Sequence, residues 1–174
     1  MIKIVIGTNR KNSNSETVAK LYQRMLKEKR EDAEILSMEE LPEDFAFSAL
    51  YENTGKNEAF NIFVERLREA NKIVFVIPEY NNSFPGVLKT FFDGLPYPSP
   101  LAGKWAALVG VSTGVQGASL ALSHLTDILN YLGMNVLATK PRLAQIASHL
   151  SEDTLQNPIY QRFLEIQMDE LIKL

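Results

Sequence analysis

Five short apolar runs rich in β-branched residues recur along the chain: Ile2–Ile6, Ala33–Leu36, Ile73–Ile77, Ala106–Val111 and Asn135–Ala138. Strands that are apolar on both faces and alternate with helices imply a parallel sheet covered on both sides, with right-handed crossovers. The pattern predicts an α/β, doubly wound, five-stranded parallel sheet with helices on both faces. At roughly 150 residues per domain, 174 residues of which 45% are hydrophobic suit one domain over residues 1–174.

The segments between the runs carry helical periodicity. Val18, Leu21, Tyr22, Met25 and Leu26 form one apolar stripe, and Phe60, Phe63, Val64 and Leu67 repeat it. A third helix is expected to begin near Pro85 and run through Leu88, Phe91 and Phe92 to Gly94 and Pro96. A fourth carries Ala121, Leu122, Leu125, Ile128, Leu129 and Leu132, with Gly133 placed for a left-handed turn. Asn157 and Pro158 read as the cap and first residue of a last helix, with Ile159, Phe163, Ile166 and Leu171 inward. The irregular stretch Leu41–Lys56 holds Phe45, Phe47, Leu50 and Tyr51, too apolar for a solvated loop. It is expected to pack against the domain or another subunit, with a place in a substrate site as the alternative.

Composition removes several classes of function. A net charge of −3 provides no global positive field, which argues against nucleic acid as a partner. With no cysteine there is no disulfide, thiolate nucleophile or cysteine-ligated cluster. The longest strongly apolar run, Ile73–Ile77, is far short of the roughly 18 residues of a spanning helix, and no signal-peptide core is evident at the start. A soluble, cytoplasmic protein with no membrane partner is the expectation.

In open parallel sheets ligands bind beyond the carboxyl ends of the strands, where the strand order reverses. Three polar loops leave such ends. The first, Gly7–Thr17, combines the hydroxyls of Thr8, Ser13, Ser15 and Thr17, the cation of Arg10 and the free N–H groups of a helix start. That set suits a phosphate monoester, whereas the triphosphatase loop and the full dinucleotide fingerprint are absent. A plain capping box of Ser13 and Glu16 is the competing reading. The second loop, Pro78–Gly86, reads PEYNNSFPG and offers backbone N–H groups to a planar heterocycle beside Tyr80, or else a turn capped by Ser83. The third, Gly110–Ala118, places Ser112 among small residues, Gly114 and Gly117, which leave room for a ring or serve a turn. All three tips are expected to converge on one cleft.

These loops resemble the NADPH-dependent FMN reductase family, flavodoxin-like flavoproteins that include quinone, azo-dye and chromate reductases, and the likeness extends over nearly the whole chain. The family's first loop typically runs Gly-Ser-x-Arg-x-x-Ser-x-Asn. Gly7, Arg10 and Ser13 match it, with Thr8 for Ser and Ser15 for Asn. The second follows the family's Pro-Glu-Tyr-Asn-x-Ser-x-Pro-Gly-x-Leu-Lys through Pro78, Glu79, Tyr80, Asn81, Ser83, Pro85, Gly86, Leu88 and Lys89, and Asp93 follows. The third is similar at Ser112, Gly114 and Gly117, and departs at Ala118, where glycine is frequent.

The resemblance implies a flavodoxin-like sheet of order 2-1-3-4-5. It also implies FMN, its phosphate on Thr8, Arg10, Ser13 and Ser15 and its isoalloxazine edge on the backbone of Glu79, Tyr80, Asn81 and Ser83 after Pro78. Ser112, Gly114 and Gly117 would close the other side. NADPH or NADH would be the co-substrate, and quinones, azo compounds, free flavin or metal oxyanions the small-molecule acceptors. No protein side chain is then needed as catalyst, since the flavin carries the hydride chemistry. The related reductases tend to be homodimers or homotetramers, which agrees with apolar surface expected around Phe45, Phe47 and Tyr51 and on the Phe91–Phe92 helix.

Other residues read as structural. His124 and His149 lie far apart, without further ligands for a metal. Trp105 opens a strand and is expected to pack, as are Phe84, Phe91 and Phe92. The side chain of Glu79 belongs to a loop whose backbone matters more. Two rival functions use the same fold. A flavodoxin-type carrier would bind FMN without NAD(P)H turnover but is usually far more acidic, and a flavin-free interaction domain would be colourless.

Overall fold

The first four apolar runs form strands of the expected sheet in the computed structural model, which describes residues 1–151 and 154–174. The strands β1 (Ile2–Ile6), β2 (Ala33–Ser37), β3 (Lys72–Pro78) and β4 (Trp105–Val111) are joined by helical connections. With β5 (Asn135–Val136) they give the parallel order β2-β1-β3-β4-β5. Their alternate side chains divide the core in two. Val5, Leu36, Phe75, Ile77 and Leu108 face α3 (Glu58–Arg68), α4 (Gly86–Asp93) and α5 (Ser119–Tyr131). Ile4, Ile6, Val74, Val76 and Val109 face α1 (Asn14–Glu28) and α6 (Pro158–Ile172). Side chains buried on both faces make the runs read as continuous rather than alternating.

The fifth run departs from expectation. Only Asn135 and Val136 pair with Trp105 and Ala106, after which the chain leaves the ladder and returns as β6 (Arg142–Leu143) opposite Gly110 and Val111. Across the gap, the side-chain amide of Gln167 on α6 donates to Leu108 O at 2.9 Å and Thr139 O at 2.8 Å. A buried glutamine thus satisfies carbonyls that a continuous strand would have paired. A short antiparallel pair, β7 (Leu150–Ser151) and β8 (Thr154–Leu155), precedes α6.

Helix positions follow the periodicity with two corrections. Pro85 is the cap residue of α4 rather than its first residue. On α6 the buried positions are Leu164, Gln167, Met168 and Leu171, whereas Ile159 and Phe163 are 62% and 48% exposed. Leu171 is inward as expected, but Ile159 and Phe163 are not, because the inward stripe runs through the polar Gln167. Gly133 takes φ +84° after α5, as its place required.

The stretch after β2 is only partly the expected packing element. Phe45, on the single turn α2 (Phe45–Ser48), and Leu50 join the core, while Phe47 and Tyr51 are 83% and 80% exposed. Phe91 and Phe92 are buried against Phe60, Phe63 and Phe75, so that helix does not offer the intermolecular surface expected of it. Trp105 packs against the α1–α6 side of the core.

At the amino end of the sheet a buried Lys3 pairs with Glu34 and, at 3.3 Å, with Glu69, and Arg66 reaches Glu34 at 2.6 Å and also Glu40. The hydrogen bond from Lys3, with support from Arg66, holds the Glu34 carboxyl below its ordinary value of 4.5. A carboxylate lowered in the folded state contributes stability above the unfolded value and loses it as pH falls through the folded one. The melting temperature is therefore expected to drop more steeply below about pH 4.5 in the parent than in Glu34→Gln. Parallel melting curves for the two proteins would exclude Glu34 as a source of the acid sensitivity.

Candidate functional site

The carboxyl ends of β1, β3 and β4 open into one cleft of about 310 Å³. Arg10, Asn12, Ser13, Asn14 and Ser15 form its wall from the first loop, Pro78, Glu79 and Tyr80 from the second, and Val111, Ser112 and Thr113 from the third. The convergence expected from the strand order is therefore present. Seven of the twelve expected site residues line the cleft. Thr8, Asn81, Ser83, Gly114 and Gly117 lie outside its wall.

The first loop begins hard against β3. Gly7 N–H donates to Val76 O at 3.0 Å, and a Cβ on Gly7 would stand 2.6 Å from Ile77 Cδ1. Thr8 is fully buried; its Oγ1 accepts from Arg10 N–H at 3.2 Å and shares a hydrogen bond with Tyr80 Oη at 3.1 Å. Its hydroxyl braces the first loop on the second. Ser13 caps α1 by accepting from Glu16 N–H at 3.2 Å. Glu16 does not complete a capping box, since its carboxylate takes Lys20 at 2.7 Å instead. The amides of Asn14 and Ser15 precede the first intrahelical bond and are open to an acceptor. Ser15 Oγ is buried without a hydrogen-bond partner, the one such side-chain atom among the described residues. Arg10 is exposed and has no ion-pair partner among them.

The second loop is a two-residue hairpin. Asn81 and Asn82 take φ +50° and +62°, while Tyr80 N–H donates to Ser83 O at 2.8 Å and Ser83 N–H to Tyr80 O at 3.0 Å. Two consecutive left-handed residues define a type I′ turn, for which asparagine is among the favoured residues. The turn uses the N–H groups of Tyr80 and Ser83, and Glu79 N–H donates to Val111 O at 3.0 Å. Of the four backbone segments expected to meet a ring edge, only Asn81 retains a free N–H among the described residues.

Two side chains of this loop have positioning roles that sequence reasoning missed. Glu79 Oε2 accepts from Ala118 N–H at 2.8 Å. Ala118 is the cap residue of α5, sits at φ +61° and has no side-chain cap of its own. The carboxylate thus substitutes for a cap and binds the second loop to the third. Ser83 Oγ hydrogen-bonds His124 Nδ1 of α5 at 2.9 Å, a second tie between this loop and that helix. His149 lies edge-on to Tyr160, away from the cleft wall.

In the third loop the glycines shape the backbone. A Cβ on Gly110 would lie 2.5 Å from Gly117 O, and one on Gly117, at φ +61°, would lie 2.9 Å from Arg142 Cβ. Ser112 Oγ accepts from Gly114 N–H at 3.0 Å, and Gly114 O accepts from Gln145 N–H at 2.9 Å. Asn12, Asn14 and Thr113 line the cleft without having been singled out. Only Asn12 carried a local signal, since asparagine tolerates its φ of +53°.

A family model for NADPH-dependent FMN reductase matches residues 1–146. A 2-hydroxy-1,4-benzoquinone reductase of a Burkholderia species is 33% identical over 125 residues, 65% of this chain and 64% of that protein. An NAD(P)H-dependent FMN reductase of Pseudomonas aeruginosa is 35% identical over 66% of each. The chain thus spans just under two thirds of the length of these two relatives. A quinone reductase of Pseudomonas putida is 30% identical over 88% of this chain and 82% of its own. Among solved structures, a flavoenzyme NAD(P)H:(acceptor) oxidoreductase of Paracoccus denitrificans superposes with a TM-score of 0.79 at 24% identity, covering 99% and 97% of the two chains, which shows the shared fold. By the extent of the family match, and with the three loops meeting in one cleft, the chain belongs to the NADPH-dependent FMN reductase family.

Proposed function

We propose that the cleft binds FMN and that the protein is an FMN-dependent NAD(P)H oxidoreductase passing a hydride to small acceptors, quinones foremost. The observation that carries this reading is Ser15: a buried hydroxyl without a partner, at the start of a helix, beside open amides and an unpaired arginine. A buried polar group is costly unless bonded, and this one is satisfied when a phosphate accepts from it. The donor set fits a phosphate monoester in number and sign. Bound FMN supplies the hydride chemistry, with reduced nicotinamide as donor.

This chain's residues hold and orient. Arg10, Ser13 and Ser15 take the phosphate, with the amides of Asn14 and Ser15. Thr8, through Tyr80 Oη, holds the tyrosine ring in the cleft wall, where it would flank the isoalloxazine, and the unengaged Asn81 amide would be available to its edge. Through Ala118 N–H, Glu79 holds the third loop, with Ser112 and Thr113 in the cleft wall, where it would close the other side of the ring. Gly114 and Gly117 permit that loop's course.

The curated relatives are named for quinone and FMN reduction, which favours the enzyme over a flavodoxin-type carrier or a flavin-free interaction domain. Among the described residues no helix is long and apolar enough to cross a membrane. A cytoplasmic site of action suits a reaction that consumes reduced nicotinamide. Residues 1–174 act as one FMN-binding domain. We assign a homodimer or homotetramer on the strength of exposed Phe47, Tyr51, Tyr97 and Tyr131. The test is an absorbance spectrum of the purified protein, supplemented with FMN, before and after anaerobic NADPH. Flavin absorbance that bleaches on addition is expected. A bound flavin that neither NADPH nor NADH bleaches would leave the carrier, and failure to retain FMN would leave the interaction domain.

A further inference from the structure

Beside the third loop the structure has a second polar region that the flavin site does not use. β6 pairs with the carboxyl end of β4, so its side chains alternate: Leu143 is fully buried and Arg142 is exposed. Arg142 and Lys140 form a ridge between two hollows. One, of about 370 Å³, lies against Ser119, Ser123 and Asp127 on one face of α5. The other, of about 300 Å³, lies against Tyr160 and Phe163 of α6. Neither basic side chain has a hydrogen bond or ion pair among the described residues. By contrast Lys89, the cation of the hollow between α4 and α5, is tied to Asp93 at 2.6 Å.

We propose that this ridge takes the 2′-phosphoadenosine end of NADPH, an assignment that rests on the oxidoreductase reading. The site abuts the flavin cleft, because Gly117 of the third loop lies against Arg142, while Ser112 and Thr113 of that loop line the cleft. The chain lacks a dinucleotide fingerprint, so no glycine-rich backbone loop is available to hold the pyrophosphate, and the tail of the dinucleotide has to be held by side chains. The two cations offer a planar fork and a point charge to a dianionic phosphomonoester, and the hydroxyls of Ser119 and Ser123 add donors. On the other side of the ridge Tyr160 is fixed by its hydrogen bond to Ala144 O at 3.1 Å, and Phe163 is half exposed, so an aromatic surface is available to the purine. Asp127 repels a phosphate, but it lies eight residues along α5 from Ser119, about 12 Å at 1.5 Å per residue. The phosphate is thereby directed to the Arg142 end.

The test is calorimetric titration of the purified protein, as isolated, with adenosine 2′,5′-bisphosphate, adenosine 5′-monophosphate and inorganic phosphate, in the parent, Arg142→Gln, Lys140→Ala and the double variant. The bisphosphate is expected to bind at least about 10-fold more tightly than the monophosphate in the parent, and each substitution to weaken it by about 10-fold while leaving the monophosphate unchanged. The ratio of kcat/KM for NADPH over NADH should fall by the same factor, with flavin content and melting temperature held. Equal binding of the two nucleotides, a preference that survives the double variant, or inorganic phosphate binding as tightly as the bisphosphate would each overturn the assignment. Absence of the preference in a parent protein that bleaches with NADPH rejects the ridge alone; failure of the oxidoreductase reading appears separately, as absent bleaching.

Discussion

Replacing Gln167 with leucine is expected to lower the unfolding free energy by about 3–5 kcal/mol, since buried polar groups left without partners cost about 1–3 kcal/mol each. Two such groups and one half-buried carbonyl depend on this side chain. Its amide nitrogen donates to Leu108 O and Thr139 O, and its oxygen accepts from Tyr22 Oη at 3.2 Å. Gln167 and Tyr22 are fully buried, and burial pushes the Tyr22 hydroxyl well above the usual phenol range, so it stays a neutral donor. Leucine preserves the bulk and removes every bond. Because the lost bonds bridge the gap between β5 and β6, amide exchange should accelerate first in residues 137–142, ahead of β1 and β3. Denaturant titration with an unchanged m-value measures the global loss. A loss under about 1 kcal/mol would mean that water or relaxation satisfies the three groups, and that the glutamine does not hold the sheet edge.

That residue also shows where sequence reasoning stops. The first four strands are legible because a sheet covered on both faces needs apolar side chains at most positions, and such runs stand out in any composition. The fifth strand was overextended because its interruption is repaired by a side chain from α6, a long-range contact that leaves no local pattern. The same glutamine displaced the reading of α6, since an inward polar residue shifts the apparent stripe to Ile159 and Phe163. The site was legible at the level of loops, through strand order and residue chemistry. Which groups face the ligand was not. Thr8 is buried beneath the loop by its bond to Tyr80, the hairpin at Asn81 and Asn82 engages amides expected to be free, and Glu79 caps a helix 39 residues away. Each of these depends on two loops meeting, which is a property of the fold and not of either segment.

Replacing Arg10 with alanine is expected to weaken FMN binding by about 1.5–3 kcal/mol, about 10- to 150-fold in dissociation constant, the range for a hydrogen bond to a charged group. Arg10 is the cation on the cleft wall and has no carboxylate partner among the described residues, so its charge is available to the phosphate. Ser15→Ala should cost less, about 0.5–1.5 kcal/mol, because a neutral donor is lost and the alanine variant no longer buries an unpaired hydroxyl in the apoprotein. The two residues address one phosphate, so the double variant should depart from additivity. Riboflavin, which lacks the phosphate, is the decisive control: its affinity should be unchanged in both variants. Fluorescence titration of the flavin-free protein with FMN and riboflavin measures all of these quantities. If Arg10→Ala weakens the two flavins equally, the arginine supports the loop and the phosphate lies elsewhere. If it weakens neither, the first loop is not the phosphate site, and Ser15 needs another partner.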